Sequence, residues 1–217
     1  MAILKKNLEE EKFVFLIDAG FMISVVKRFS TLNPDYQAFH KMVGGCLAGF
    51  GEKISTEKLP VHIWSAAPIR EDEGFQRFAS RITEAGFKLH LSFGTESYIA
   101  DIRRFFPDGV IPQGISGQLQ RHDAFISYTI GLLASSHRII VATDSYLVAE
   151  TLYDAADRRK GINYFVGLRS MVGKYLHEVV SQKPNLVRFI DIEDQLSVVF
   201  PTSPSSLRSM SRFLREV

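Results

Sequence analysis

Short apolar runs bounded by turn-forming residues, with helix-period segments between them, constrain this chain more than any other feature. Phe13-Val14-Phe15-Leu16-Ile17 runs straight into Asp18, and Val61-His62-Ile63-Trp64 follows Pro60. Lys88-Leu89-His90-Leu91 comes after Gly86, Ile139-Ile140-Val141-Ala142 after Arg138, and Ile162-Asn163-Tyr164-Phe165-Val166 after Gly161. A sixth candidate is Leu186-Val187-Arg188-Phe189-Ile190. All are short and rich in β-branched or aromatic residues, which favours strands over helices. The first and fourth are almost uninterrupted in hydrophobicity, as strands covered on both faces of a parallel sheet must be.

The intervening segments follow the helical period. Glu73 to Ala85 sets Phe75, Phe78, Ala79 and Ile82 on one face and stops at Gly86. His122 to Ala134 groups Ile126, Ile130 and Leu133. Ser145 to Arg159 groups Leu147, Val148, Thr151, Leu152 and Ala155, with Asp154, Arg158 and Arg159 outside. Strand and helix in alternation predict a three-layer α/β/α fold with a mainly parallel open sheet of Rossmann-like topology. The 217 residues divide into an N-terminal extension (1–12), one domain (13–198) and a C-terminal tail (199–217). Two regions resist the pattern. Phe93 to Gln120 is a long connection containing glycine and proline, and loops of that length are usually functional. Pro201 to Val217 opens with Pro-Thr-Ser-Pro-Ser-Ser and carries Arg208, Arg212 and Arg215, so it reads as an appendage.

Composition removes several classes of function. Lys and Arg number 26 against 24 Asp and Glu, a formal charge of +2, so no field of one sign demands a nucleic-acid or membrane partner. Cys46 is the single cysteine, which excludes an internal disulfide and a cysteine-rich zinc site. Its apolar surroundings predict a small buried core residue. The first dozen residues are too charged for a signal peptide, and no apolar run approaches the roughly 20 residues of a membrane span. A cytoplasmic protein is expected.

Ligands of an open α/β sheet bind outside the carboxyl ends of its strands. Asp18 ends the first strand, Asp144 follows the fourth, and Asp123 opens the helix leading into the fourth. Three acids from distant parts of the chain are therefore expected at one crevice. Hard divalent cations take carboxylate oxygens, and such a site can activate water for phosphoryl displacement. Capping competes with this reading for Asp144, and the helix macrodipole for Asp123. Asp18 has no comparable structural explanation. Dinucleotide, Walker-type and nucleophile-elbow motifs are absent from the sequence. His62 and His90 lie within strands, where hydrogen-bonded core or surface roles are expected, and only His122, beside Asp123, draws functional interest.

Three blocks together resemble the NYN domains of the PIN-like nuclease group. Phe15-Leu16-Ile17-Asp18-Ala19-Gly20-Phe21-Met22 is similar to their opening, Gln120-Arg121-His122-Asp123-Ala124-Phe125-Ile126 to their second block, and Ala142-Thr143-Asp144-Ser145-Tyr146-Leu147 to their third. The resemblance implies a PIN-like fold and metal-dependent cleavage of RNA by a ribonuclease. Asp18, Asp123 and Asp144 would bind Mg²⁺ or Mn²⁺ and serve as the catalytic residues. Arg103, Arg104, Arg121 and Ser145 are the expected RNA contacts, with Phe105 and Phe106 available to stack on unpaired bases; an ordinary loop whose phenylalanines pack on the core, and a solvated Arg121, are the alternatives. Phe21, Thr129 and Tyr146 depart from the family pattern, which leaves three readings: work with one metal ion, a borrowed ligand such as Glu150 or Ser145, or lost activity. The alternative is a degenerate domain that binds RNA or a protein without cutting. The long loop and the basic tail are candidate elements of a homodimer.

Overall fold

Side chains alternate across a strand, so a strand buried on both faces divides its residues between two cores. The central strand here does this. In the computed structural model, which describes residues 12–29, 33–66, 73–92, 119–159, 161–173, 178 and 184–201, strand β1 (Lys12–Asp18) is buried from Phe13 onward. Phe13, Phe15 and Ile17 enter one hydrophobic cluster, and Val14 and Leu16 enter the other.

Six strands form one sheet: β1, β2 (Val61–Ala66), β3 (Lys88–Ser92), β4 (His137–Ala142), β5 (Asn163–Gly167) and β6 (Val187–Asp191). Their order is β3-β2-β1-β4-β5-β6, and every pairing is parallel. The sheet is thus wholly parallel, beyond the mainly parallel sheet expected. Helices α1 (Ala19–Phe29), α2 (Tyr36–Gly49) and α3 (Glu73–Glu84) contribute Phe21, Phe39, Val43, Leu47 and Ile82 to the Phe15 side. Helices α4 (Leu119–Leu133) and α5 (Tyr146–Arg159) contribute Ile126, Ile130, Val148 and Leu152 to the Leu16 side. A short α6 (Leu196–Val199) closes the first cluster. The result is a three-layer α/β/α fold. Each fully buried large apolar side chain contributes about 1.5–3 kcal/mol.

Sequence reasoning did not pick out α1 and α2. Helix α1 begins at Ala19 with no intervening turn, so the apolar run of β1 continues into Phe21-Met22 and blurs the change of period. Helix α2 contains Gly44 and Gly45, poor helix formers. Gly44 is there for packing, because a Cβ at that position would lie 2.2 Å from Thr56 Oγ1. The Asp35 carboxylate caps the helix by accepting the Ala38 N–H at 2.9 Å. Cys46, expected in the core, is only half-buried on α2, and burial pushes its thiol up.

The amino edge of the sheet is held by an ion pair between the buried Arg138 and the half-buried Glu52. Arg138, at the start of β4, donates to Glu52 Oε2 at 2.5 Å and Oε1 at 2.7 Å. Its remaining donors reach Ile162 O and the Tyr164 hydroxyl, both at 2.9 Å, and its guanidinium lies 4.8 Å from the Phe13 ring centre. Burial alone would raise the Glu52 carboxyl, but bonds from Arg138 and Tyr164 hold it below its ordinary range. Among the described residues, no helix is long and apolar enough to cross a membrane.

Candidate functional site

The strand order reverses direction between β1 and β4, which places the crevice outside their carboxyl ends where ligands bind in such sheets. Asp18 is the last residue of β1, and Thr143-Asp144-Ser145 directly follow β4. Strand alternation puts Asp18 on the face shared with Val14 and Leu16, under α4 and α5. Asp123 projects from the second turn of α4.

A chain of hydrogen bonds connects these pieces. The Gly20 N–H donates to Asp18 Oδ1 at 2.7 Å. A Cβ at position 20 would lie 3.0 Å from that oxygen, so glycine is what lets the first residues of α1 approach the Asp18 carboxylate this closely. The fully buried Thr143 hydroxyl donates to Asp18 Oδ2 at 3.2 Å and accepts the Ser145 N–H at 3.1 Å. The Ser145 hydroxyl in turn donates to Asp123 Oδ2 at 2.6 Å and accepts from Val148 N at 3.4 Å. Ser145 is therefore the N-cap of α5, and the capping role weighed for Asp144 belongs to its neighbour. Asp123 lies beyond the first turn of α4, which removes the macrodipole reading.

Electrostatics set this edge apart. The Asp18 carboxyl is pushed up to about 6, mainly by burial, with the charges of Asp144 and Asp123 adding to the rise and the Gly20 and Thr143 hydrogen bonds opposing it. Burial also raises Asp123, assisted by Asp144 and opposed by Ser145. Asp144 is raised by the protein packed around its carboxylate, although its outer side is exposed. Among the described residues none of the three forms an ion pair. Three carboxyls thus share one edge, and among the described residues no side-chain cation pairs with them.

This donor set suits a hard cation, because Mg²⁺ is usually held by one or two carboxylates together with waters. It is not a ready-made three-carboxylate cage. Among the described residues, no three Asp, Glu, His or Cys side chains stand close enough to hold one ion. The hydrogen bonds give the reason: both Asp18 oxygens are engaged, and Asp123 is turned onto Ser145.

The other expected site residues fall as follows. Ser145 orients Asp123 and caps α5. Arg121 belongs to α4, but its side chain, like that of His122, lies outside the described residues, as do Arg103, Arg104, the long loop and the basic tail. Phe21 is a core residue at 1% exposure, and Thr129 bonds back to Phe125 O at 2.9 Å. The Tyr146 hydroxyl donates to Glu150, so Glu150 is turned away from the role of borrowed ligand.

Two features escaped sequence reasoning. Thr143 links Asp18 to Ser145, and only its place at a strand end could have drawn notice. Beside Asp18, the register brings Trp64 and then His90 into one row across β2 and β3. Trp64 stacks on His90 at 4.5 Å, and His90 Nε2 lies 2.9 Å from His62 Nδ1. Burial, with the neighbouring His90 and Lys88, pushes the His62 imidazole down to about 4. The in-strand histidines thus form a hydrogen-bonded pair under α4.

Fold and site together define a doubly wound α/β protein with an acidic cluster at its switch point. No protein-family model matches the chain, and no curated protein is significantly similar to it. Among solved structures it is similar to a protein of unknown function, VPA0982, from Vibrio parahaemolyticus. That match has a TM-score of 0.60 at 12% sequence identity and covers 88% of this chain and 98% of the other. At that identity the likeness is one of fold alone.

Proposed function

We propose that this chain is a metal-dependent ribonuclease of the PIN-like class, acting in the cytoplasm on RNA phosphodiester bonds. The observation that carries the reading is the meeting of Asp18, Asp123 and Asp144 at the β1/β4 switch point, with all three carboxyls raised and none ion-paired among the described residues. The resemblance of the three blocks that carry these acids to NYN domains also supports it. Asp18 and Asp144 would hold Mg²⁺ or Mn²⁺, completed by water. When bound, the ion supplies Lewis-acid stabilisation of the phosphodiester oxygens and lowers the pKa of a nearby water.

The protein's own groups do the rest. Thr143 fixes the Asp18 carboxylate, and Gly20 holds its other oxygen. Ser145 occupies one oxygen of Asp123, leaving the second to take the proton of the attacking water. That water oxygen joins phosphorus as the bond to the leaving ribose oxygen breaks, and the leaving oxygen takes up a proton from solvent.

The second reading, a degenerate domain that binds RNA without cutting, is favoured by Tyr146 and Thr129 in place of acids and by the absence of three converged ligands among the described residues. Single-turnover cleavage of end-labelled RNA, single-stranded and hairpin, separates them. With Mn²⁺ the wild type is expected to cut, and Asp18→Asn and Asp144→Asn to lose at least a hundredfold in rate, on the order of one general acid–base or electrostatic contribution. Equal cleavage by all three proteins refutes the site. RNA binding without cleavage by the wild type establishes the second reading.

A further inference from the structure

Among the described residues, the two ends of the central strands differ in charge, acidic at the carboxyl edge and lysine-rich at the amino edge. At the amino edge, Lys12 and His137 open β1 and β4 as register partners. Beneath them is a cavity of about 330 Å³ lined by Lys12, Lys53, Ser55, Lys58 and His137, with Phe13 as an apolar wall and, among the described residues, no acid in the lining. Among the described residues, two neighbouring carboxylates are engaged elsewhere. Glu52 is bound to Arg138 and Tyr164, and Glu57 lines the adjoining cavity instead. Among the described residues the three lysines form no ion pair. The Ser55 hydroxyl makes no capping bond to the short 3₁₀ turn Thr56–Lys58 that follows it.

The surroundings reinforce the positive field. Arg159, at the end of α5, presents a buried Nη1 with no hydrogen-bond partner among the described residues. Burial and the charges of Lys12 and Arg159 push the His137 imidazole down, so it stays neutral and available as a donor or acceptor. Ser136 Oγ lies 2.8 Å from its Nδ1.

We propose that this cavity is a second binding site, for the phosphoryl groups of a small multiply charged anion. Three ammonium groups, a hydroxyl and a neutral imidazole match an anion with several acceptor oxygens and more than one charge. A carboxylate would leave most of these donors unanswered. The volume lies at the lower end of the range for small-ligand pockets and suits a diphosphate better than an extended molecule. β1 spans seven residues, about 20 Å of extended chain, so this site is separate from the acidic edge and independent of any reaction there.

Titration calorimetry of the full chain in magnesium-free buffer tests the proposal. The probes are inorganic pyrophosphate and a nucleoside diphosphate. Saturable one-to-one binding is expected, weakening as salt rises, about fivefold weaker in Lys53→Gln or Lys58→Gln and about 25-fold weaker in the double variant. Asp18→Asn should leave it unchanged. Equal affinity for both probes assigns free phosphate as the ligand, and a nucleoside diphosphate favoured tenfold assigns a nucleotide. Both outcomes support the site. No saturation below about 1 mM overturns it. So does binding that survives both lysine changes, or that Asp18→Asn abolishes. Should the lysine variants fail to fold, the wild-type His137 imidazole decides by NMR: bound pyrophosphate must raise its pKa, and an unmoved titration refutes the site.

Discussion

Replacing Asp18 by Asn should make the metal-free protein more stable at neutral pH. Asp18 is 5% exposed, and its carboxyl is raised from 3.8 to about 6. A rise of about two units corresponds to about 3 kcal/mol between the two protonation states. The sign follows from proton counting. Below pH 3.8 the group is protonated in both folded and unfolded chains and contributes nothing. Between 3.8 and about 6 the folded chain binds the proton that the unfolded chain releases, so stability falls as pH rises. Above 6 the full penalty applies. Asn removes the charge while keeping an oxygen for the Gly20 N–H, and its amide can donate to the Thr143 hydroxyl, which has a second lone pair to offer.

Urea unfolding in chelator at pH 7.5 should therefore show Asp18→Asn more stable than wild type by about 2–3 kcal/mol, and at pH 4 by less than about 1 kcal/mol. The difference between the two proteins is the readout. The wild-type profile alone is not, because the depressed His62 imposes the opposite slope over the same range. Adding Mn²⁺ at pH 7.5 should stabilise the wild type and leave the variant unchanged. A variant no more stable than wild type at pH 7.5, or a gain that is the same at pH 4, refutes the argument.

Glu52→Gln leaves the buried Arg138 without its counter-charge and should cost about 3 kcal/mol in urea unfolding; a loss under about 1 kcal/mol contradicts the clamp. Gly20→Ala places a Cβ 3.0 Å from Asp18 Oδ1 and should displace the carboxylate. Calorimetry should show Mn²⁺ binding at least about tenfold weaker, with the melting temperature nearly unchanged; unaltered binding breaks the link between Gly20 and the site. His62, pushed down to about 4, should remain neutral by NMR at pH 5.5. Its contribution to stability is complete above the ordinary imidazole value of 6.5 and is lost as pH falls toward 4, so His62→Gln should flatten that acid limb.

The strands were legible because a buried parallel strand must be apolar on both faces, and β1 and β4 are. Asp18 and Asp144 stood out for the same reason, as acids closing apolar runs. Their meeting was not legible in the same way. The β1–β4 pairing joins residues more than a hundred positions apart, and nothing local in either strand encodes it. The division of labour between Asp144 and Ser145 was hidden because both are good cap residues, and only the Val148 N–H shows which one caps. Thr143 was hidden because a threonine at a strand end is common. Helix α1 was lost where strand passes into helix without a turn, and α2 where two glycines weaken the periodicity, one of them kept for its contact with Thr56.

The central claim is that the acidic edge between β1 and β4 holds a divalent ion. Anomalous diffraction at the manganese edge, from crystals grown with MnCl₂, tests it most directly. The account predicts a peak about 2.0–2.3 Å from carboxylate oxygens of Asp18 and Asp144, absent from crystals of Asp18→Asn. A map with no peak at this edge, or a peak that persists unchanged in the variant, would contradict it.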